Sequence, residues 1–367
     1  MRRADVIIVG GGVVGLMTAW TLARSNARVA AVDSGGPAAT TAAAGMLAPS
    51  FERTLHKSGE ALAAFSMASL LAWRQCAPLL EERSGVEIDF DGSGILSAVF
   101  DEEDAAIFDR DNEGGEWIDR KEALELEPSL SPDVKGAWRA AADGQVDPRK
   151  TLKALRAAFA ADGGELVLGK RATSILSERG KVCGVMLDTG ERLGAPNVVI
   201  ATGARIDGLT PLPDGAVFPV KGEALALARN EGSPRRVVRT SRAYLCPKSD
   251  GRIIIGATEV RRDWSLNADG ARVDALRRGA IAAFPKLARA REIERWAGLR
   301  PATPDGAPII GASPEGPKGL FHALGHYRNG VLLAPATARA VAAIVLDGGP
   351  APDAAFSAAR FIKLGVS

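Results

Sequence analysis

Cysteine, histidine and tyrosine are all scarce in this chain of 367 residues, which holds three, three and two of them. Cys76, Cys183 and Cys246 lie far apart with no CxxC pair, which speaks against a disulfide framework and a cysteine zinc site. His56, His322 and His326 are the only imidazoles, so no metal site is expected. Excess charge is missing too. The balance of 46 Lys+Arg against 44 Asp+Glu, net +2, gives no footprint for a dedicated nucleic-acid or membrane-surface protein. The apolar run from Val6 is broken by glycines and falls short of the ~20 residues a membrane span needs. Arg2 and Arg3 before it imitate a leader peptide, but Asp5 heads the run and the segment reads as a strand entering a turn, so a cytoplasmic location is expected.

What is present is ordinary globular composition, 46% hydrophobic and 25% charged. At roughly 150 residues per domain the length points to two domains whose interface can hold a ligand. Between residues 216 and 299 there are 17 Lys+Arg and 9 Asp+Glu, a local +8. That region either draws an anionic ligand or is a solvated arginine-rich surface. No repeat or low-complexity tract interrupts the chain.

Val6-Ile7-Ile8-Val9 reads as a strand buried on both faces, followed at once by Gly10-Gly11-Gly12-Val13-Val14-Gly15, a helical pattern to Ser25, and a second strand from Arg28 to Asp33. In such a unit Gly10 permits the tight turn, Gly12 lets backbone approach a pyrophosphate and Gly15 lets helix and strand pack closely. Helix N–H groups from Val13 and Val14 onward face the phosphates. Asp33, with Ser34 beside it, is placed at the ribose. The alternative is a glycine-rich turn in an empty α/β domain. The turn does not separate FAD from NAD. Thr40 to Pro49 is a run of small residues and hydroxyls able to lie flat against a planar ring, and Asn197 to Ile200 is a late buried strand ending in Ala201-Thr202-Gly203. Asp147-Pro148 opens a helix to about Ala161. Strands are expected over 165–170, 172–177 and 182–188, the last two joined at Arg179-Gly180, with a hairpin of 243–247 and 252–257 turning at Ser249-Asp250-Gly251.

Six segments carry a resemblance: the GGGVVG turn, Ala43 to Ala48, Ala201 to Ala204, Ala243 to Pro247, Gly298-Leu299-Arg300-Pro301-Ala302-Thr303-Pro304-Asp305-Gly306, and Gly325-His326-Tyr327-Arg328-Asn329-Gly330. In this order the chain resembles the FAD-dependent D-amino acid oxidase superfamily, and within it the glycine oxidases linked to thiazole synthesis for thiamine. The resemblance implies an α/β fold with a Rossmann-type FAD-binding domain (1–85, 144–215 and 300–367) and an inserted α+β substrate domain (86–143 and 216–299). It implies FAD held by Gly10, Gly12, Val13, Val14, Gly15, Asp33, Ser34, Thr40, Thr41, Ala43, Ala44, Gly45, Met46, Leu47, Ala201, Thr202 and Gly203, and by His326, Arg328, Asn329, Gly330, Val331 and Leu332. The N–H groups of Asn329, Gly330 and Val331 are expected at the flavin edge, with His326 not catalytic.

A substrate carboxylate needs a rigid cationic fork, for which Arg300 and Arg328 are the candidates. By resemblance Arg300 anchors the carboxylate, Tyr244 donates to it, and Arg328 lies by flavin and substrate. A surface arginine or a core tyrosine is the plainer reading of each. Relatives that tether FAD use a cysteine where this chain has Gly298, so non-covalent FAD is expected. Arg242, two residues before Tyr244 on an expected strand, shares its face and either reaches the pocket or its rim or is a solvated strand end. The activity implied is oxidation of glycine, sarcosine or another small amino acid with O2 as acceptor, no nucleic acid and no membrane. A dehydrogenase passing electrons to a quinone or partner subunit, a tRNA-modifying flavin enzyme and a non-catalytic FAD subunit remain as alternatives. A homo-oligomer is compatible with the chain, but no motif encodes it.

Overall fold

The structure, a computed structural model, describes residues 4–36, 38–51, 59–111, 114–206 and 208–362. Arg2, Arg3 and His56 lie outside the described residues. β1 (Val6–Val9) is buried at all four positions, as a strand covered on both faces must be. α1 (Val13–Arg24) follows the glycine turn, and β2 (Val29–Asp33) returns to pair in parallel with β1, Val6 opposite Val29 and Val9 opposite Val32. The helix stops because the chain reverses at Asn26, whose φ of 64° is a left-handed conformation that asparagine tolerates.

These strands lie in a six-stranded sheet in the order Ile309–Ala312, Leu320–Leu324, Asn197–Ile200, β1, β2, Glu165–Leu168, parallel except at the first edge. Alternate residues divide its two faces. Val6 and Ile8 pack under helices, whereas Ile7 and Val9 pack under a three-stranded antiparallel sheet of Ala172–Glu178, Lys181–Leu187 and Arg192–Gly194. The hairpin between the first two turns at Arg179 and Gly180, both at positive φ, the geometry of a type I′ turn.

The helical cover comprises α1, α2 (Gly59–Ser84), α3 (Pro148–Ala161) and α4 (Gly330–Asp347). α3 starts where expected: the Asp147 side chain accepts from the N–H groups of Arg149 and Lys150, and Pro148 occupies the first turn. The stretch Tyr327–Asp347 is long and apolar enough to cross a membrane, but 61% of an apolar 18-residue window within it is buried and α4 packs against α1 and α2. Pro335 inside α4 cannot donate to the carbonyl of Val331, and the Trp73 indole N–H takes that place at 2.9 Å. Ser69 completes the repair, donating to Leu332 O at 2.7 Å and accepting from Ala336 N–H at 3.1 Å. α2 thereby fixes the N-terminal end of α4.

A second, nine-stranded mixed sheet draws three strands from 95–140 and six from 218–302. Its spine is β3 (Phe218–Ala228). On one side of the spine lie β4 (Tyr244–Pro247) and β5 (Arg252–Gly256), with β5 adjacent to β3; on the other lies β6 (Glu292–Ala302). Helix Gly270–Ala283 covers the face that carries Ala243, Leu245, Ile253 and Ile255. The opposite face, with Tyr244, Cys246, Ile254 and Trp296, meets Ala44, Met46 and Ala48 from the chain that follows β2.

Candidate active site

At the end of β1 the backbone needs its glycines for reasons visible in the packing. Gly10 has φ 121°, and a β-carbon there would overlap the carbonyl of Ala201. A β-carbon on Gly15 would overlap Gly10 O, so this glycine brings α1 onto the strand. Gly12 is the N-cap of α1 and supplies no side-chain cap. Instead the Thr40 hydroxyl accepts from Val13 N–H at 3.0 Å. Gly11, which motif reasoning passed over, is held to glycine because the Asp33 carboxylate occupies the space of a β-carbon. Asp33 accepts from Gly35 N–H at 3.0 Å and from Arg156 at 2.7 Å, one donor per oxygen, which leaves each oxygen capacity for another. Ser34 is exposed beside it.

The segment after β2 forms a one-turn helix, Ala39–Ala42, and then a short strand, Met46–Leu47, paired with Gly144–Gln145. Gly45 has φ 86° and no room for a side chain against Val146 O. The segment therefore runs as a close-fitting ledge of small residues, Thr40, Thr41, Ala43 and Ala44, against β6.

Across from this ledge stand the cationic residues. Val220 pairs with Arg300 and Gly222 with Gly298, so Arg300, Gly298 and Trp296 share one face of β6. The Arg300 guanidinium lies back over Gly222 and donates to Thr258 O at 3.1 Å. The Tyr244 ring lies over Gly256 in the same manner, and its hydroxyl is hydrogen-bonded to Arg300. Burial raises the Tyr244 pKa above its ordinary value, and the positive charges of Arg300 and Arg328 only partly oppose this, so the phenol stays protonated and able to donate. Arg328 is exposed and follows Tyr327, whose φ of 48° turns the chain sharply before α4.

The structure adds four residues that motif reasoning missed. Tyr327, the second of the two tyrosines, is hydrogen-bonded to Glu259 and within electrostatic reach of Arg300 and Arg328. Burial, then the Glu259 carboxylate, raises its pKa. Behind Arg300, Thr258 donates its hydroxyl to Glu223 at 2.9 Å and accepts from Glu223 N–H at 2.9 Å. Glu223 is fully buried with Lys221 at 3.2 Å. Burial alone would raise the Glu223 pKa, but the Asp269 N–H, the Thr258 hydroxyl and the Lys221 ammonium hold it below the ordinary value. The only sequence signal was a charged pair, Lys221 and Glu223, on one side of a strand that should be buried.

Of the two readings of Arg242 the structure bears out the solvated one: it is exposed and precedes β4, where Thr240 accepts from the N–H groups of Arg242 and Ala243 and breaks the strand alternation. Its side chain sits over Gly279 on the helix-covered face and pairs with Asp101 at 3.1 Å. Two expectations are corrected: the Asn329 N–H donates to His326 O at 2.9 Å within a tight turn, and the Val13 N–H, expected at the phosphates, donates to the Thr40 hydroxyl at 3.0 Å, so neither is free for a ligand. His326 is buried, shares a hydrogen bond with the Thr337 hydroxyl at 3.0 Å, and has its pKa pushed down to about 3 by burial.

A sequence model of the family described as FAD dependent oxidoreductase matches residues 5–344. The chain belongs to this family. It is 36% identical to the glycine oxidase of Geobacillus kaustophilus over 100% of this chain and 99% of that protein. It superposes on a crystal structure of glycine oxidase from the same organism with a TM-score of 0.87 and 33% identity, covering 97% and 98% of the two chains. The bifunctional protein ThiO/ThiG of Synechocystis sp. is 36% identical over 98% of this chain but only 54% of its own length, so the chain spans about half of that relative.

The family's cofactor is FAD, and the residues of this FAD-dependent oxidoreductase fit it. The N-terminus of α1 is bordered by glycines a side chain would fill, Asp33 retains acceptor capacity, and Thr202 Oγ1 is buried with no partner among the described residues. That orphan hydroxyl lies next to Ala201, on which Gly10 packs, where a cofactor would supply its hydrogen bond.

Proposed function

We propose that this chain oxidises a small amino acid, with glycine and sarcosine as the first substrates, using O2 as electron acceptor. With water as co-reactant, the products are a 2-oxo acid, ammonia or an amine, and hydrogen peroxide. The observation that carries this reading is the Arg300 guanidinium, held between Gly222, Thr258 O and the Tyr244 hydroxyl, facing the ledge of small residues. Similarity to glycine oxidases over the full chain supports it.

In this reading the parallel sheet and its cover hold FAD, and the mixed sheet holds the substrate. Gly10, Gly12 and Gly15 admit the pyrophosphate to the N-terminus of α1, where N–H groups and the helix dipole favour negative charge. Bound FAD supplies the acceptor for a hydride from the substrate Cα. The protein's own work is placement. Arg300 offers two parallel N–H donors to the carboxylate, and the protonated Tyr244 adds a third. Arg328 contributes positive charge at the mouth. The Thr40–Leu47 ledge and the start of α4 would hold the ring system, so the amine end of a small substrate would be directed across the cleft while the acid end is fixed.

A panel of amino acids assayed for peroxide, with a flavin absorbance spectrum, tests the proposal. Arg300→Ala should keep FAD and lose roughly two to three orders of magnitude in kcat/KM, the scale of charge-assisted hydrogen bonds removed from a carboxylate. Wild-type kcat/KM on glycine in a flavin-loaded Arg300→Ala enzyme would overturn it.

A further inference from the structure

The helix Ala39–Ala42 has four residues, too few to stand by its own hydrogen bonds, and its last carbonyls have no partners within it. Two side chains from elsewhere meet them. Arg149, in the first turn of α3, donates Nε–H to Thr41 O at 3.1 Å. Trp296, on β6, donates its indole N–H to Ala42 O at 3.0 Å.

The two donors are themselves joined. The Arg149 guanidinium lies 5.0 Å from the Trp296 ring centroid, and its Nη1 and Nη2 bind Glu294 at 2.6 and 3.3 Å. Ala42 packs onto β6 where Gly298 leaves space. Glu294, Trp296, Gly298 and Arg300 thus form one row on β6 whose first three members hold the ledge and whose fourth faces the pocket. At the other end of the same short helix, Thr40 accepts from Val13 N–H in the glycine turn.

We propose that Arg149, braced by Glu294 and stacked on Trp296, is a positioning residue that fixes the Thr41–Ala42 carbonyls and thereby sets FAD affinity. Because the latch and Arg300 share one strand face, it also sets the spacing between cofactor and substrate clamp. The inference rests on the reading that the ledge borders FAD.

The test is titration of apoprotein with FAD, followed by the flavin absorbance spectrum and the separate effects on kcat and KM. Arg149→Ala should raise the Kd for FAD about tenfold or more, the scale expected when a charge-assisted hydrogen bond and a cation–π stack are removed together. It should also shift the flavin visible band and lower kcat. Arg149→Lys keeps the charge but not the planar fork, and should recover only part of the affinity. Should Arg149→Ala fail to fold, Glu294→Gln and Trp296→Phe serve, each expected to weaken FAD binding by a smaller factor with the fold intact. Folded variants whose FAD affinity and spectrum match wild type overturn the latch. Loss of FAD affinity in Arg149→Ala, together with a wild-type enzyme that oxidises no amino acid, keeps the latch and overturns the activity.

Discussion

The guanidinium of Arg300 occupies the space that a β-carbon on Gly222 would take. The two residues lie on paired strands, two positions out of register, Val220 opposite Arg300 and Gly222 opposite Gly298. In the proposed function Gly222 is therefore the floor of the carboxylate clamp. Gly222→Ala should displace only the far end of a flexible side chain, so stability should change little while the fork is pushed off Thr258 O. We expect KM for glycine to rise about tenfold, near 1.4 kcal/mol, with FAD retained. A wild-type KM in Gly222→Ala would show that the clamp is elsewhere.

Charge at the pocket mouth sets a second expectation. Arg300 and Arg328 bring two positive charges near Tyr327, and Glu259 brings one negative charge hydrogen-bonded to the same tyrosine. In the proposed function one further carboxylate, that of the substrate, balances this group. Glu259→Gln leaves a positive charge uncompensated and should favour amines with a second carboxylate. The motivating hypothesis is that Glu259 selects monocarboxylic substrates by repulsion. The ratio of kcat/KM for iminodiacetate over sarcosine should rise by roughly tenfold, given a close charge pair at the effective dielectric of a protein surface. An unaltered ratio would sink the hypothesis. Salt screening of these charges should make the effect smaller at high ionic strength.

Much of the scaffold was legible in local signals. The β1-turn-α1-β2 unit, the Asp147-Pro148 helix start and the Arg179-Gly180 turn each depend on residues within a few positions of one another, and each stands where the sequence placed it. Arg300 and Tyr244 were reached through motifs, and the structure brings them into contact. Glu223, Thr258, Glu259 and Tyr327 were not legible, because they meet only through the pairing of β3 with β5 and β6 across long stretches of chain. Arg242 stayed open between the pocket and a solvated strand end for a physical reason: alternation assumes a continuous strand, and Thr240 folds the backbone into a turn just before β4.

Acid should destabilise the fold through its buried histidines. His322, bonded to the Thr210 hydroxyl at 2.7 Å, has its pKa lowered to about 4 by burial, and His326 to about 3. In the unfolded chain both return to about 6.5, so between that value and the folded pKa the unfolded state binds more protons. Their contribution is full above about pH 7 and is lost as pH falls towards 4 and then 3. At pH 5 each should have lost about 2 kcal/mol. Glu127, whose pKa burial raises, acts in the opposite direction from one site. Denaturant unfolding at pH 8, 6 and 5 measures the slope, which should be reduced in His326→Gln; equal slopes in the two proteins would remove histidine burial as the cause.

Gly298 faces Ala42, and a β-carbon at 298 would overlap the β-carbon of Ala42. A cysteine at this position therefore has no space unless the ledge withdraws. Among the described residues Cys76 and Cys246 are buried, the latter with its thiol pKa pushed up to about 11 by burial, which leaves it protonated and a poor nucleophile. Acid precipitation of the wild-type enzyme should release all its flavin into the supernatant. Gly298→Cys should not create a tether; it should push the 40–47 segment away and weaken FAD binding about tenfold, as expected when a well-packed site is overfilled by ~1–3 kcal/mol. Gly298→Ala should weaken it in the same direction, because the first added carbon already meets Ala42. Flavin that remains on acid-precipitated Gly298→Cys protein would mean that the ledge yields and that the cleft has room for a side chain on this strand.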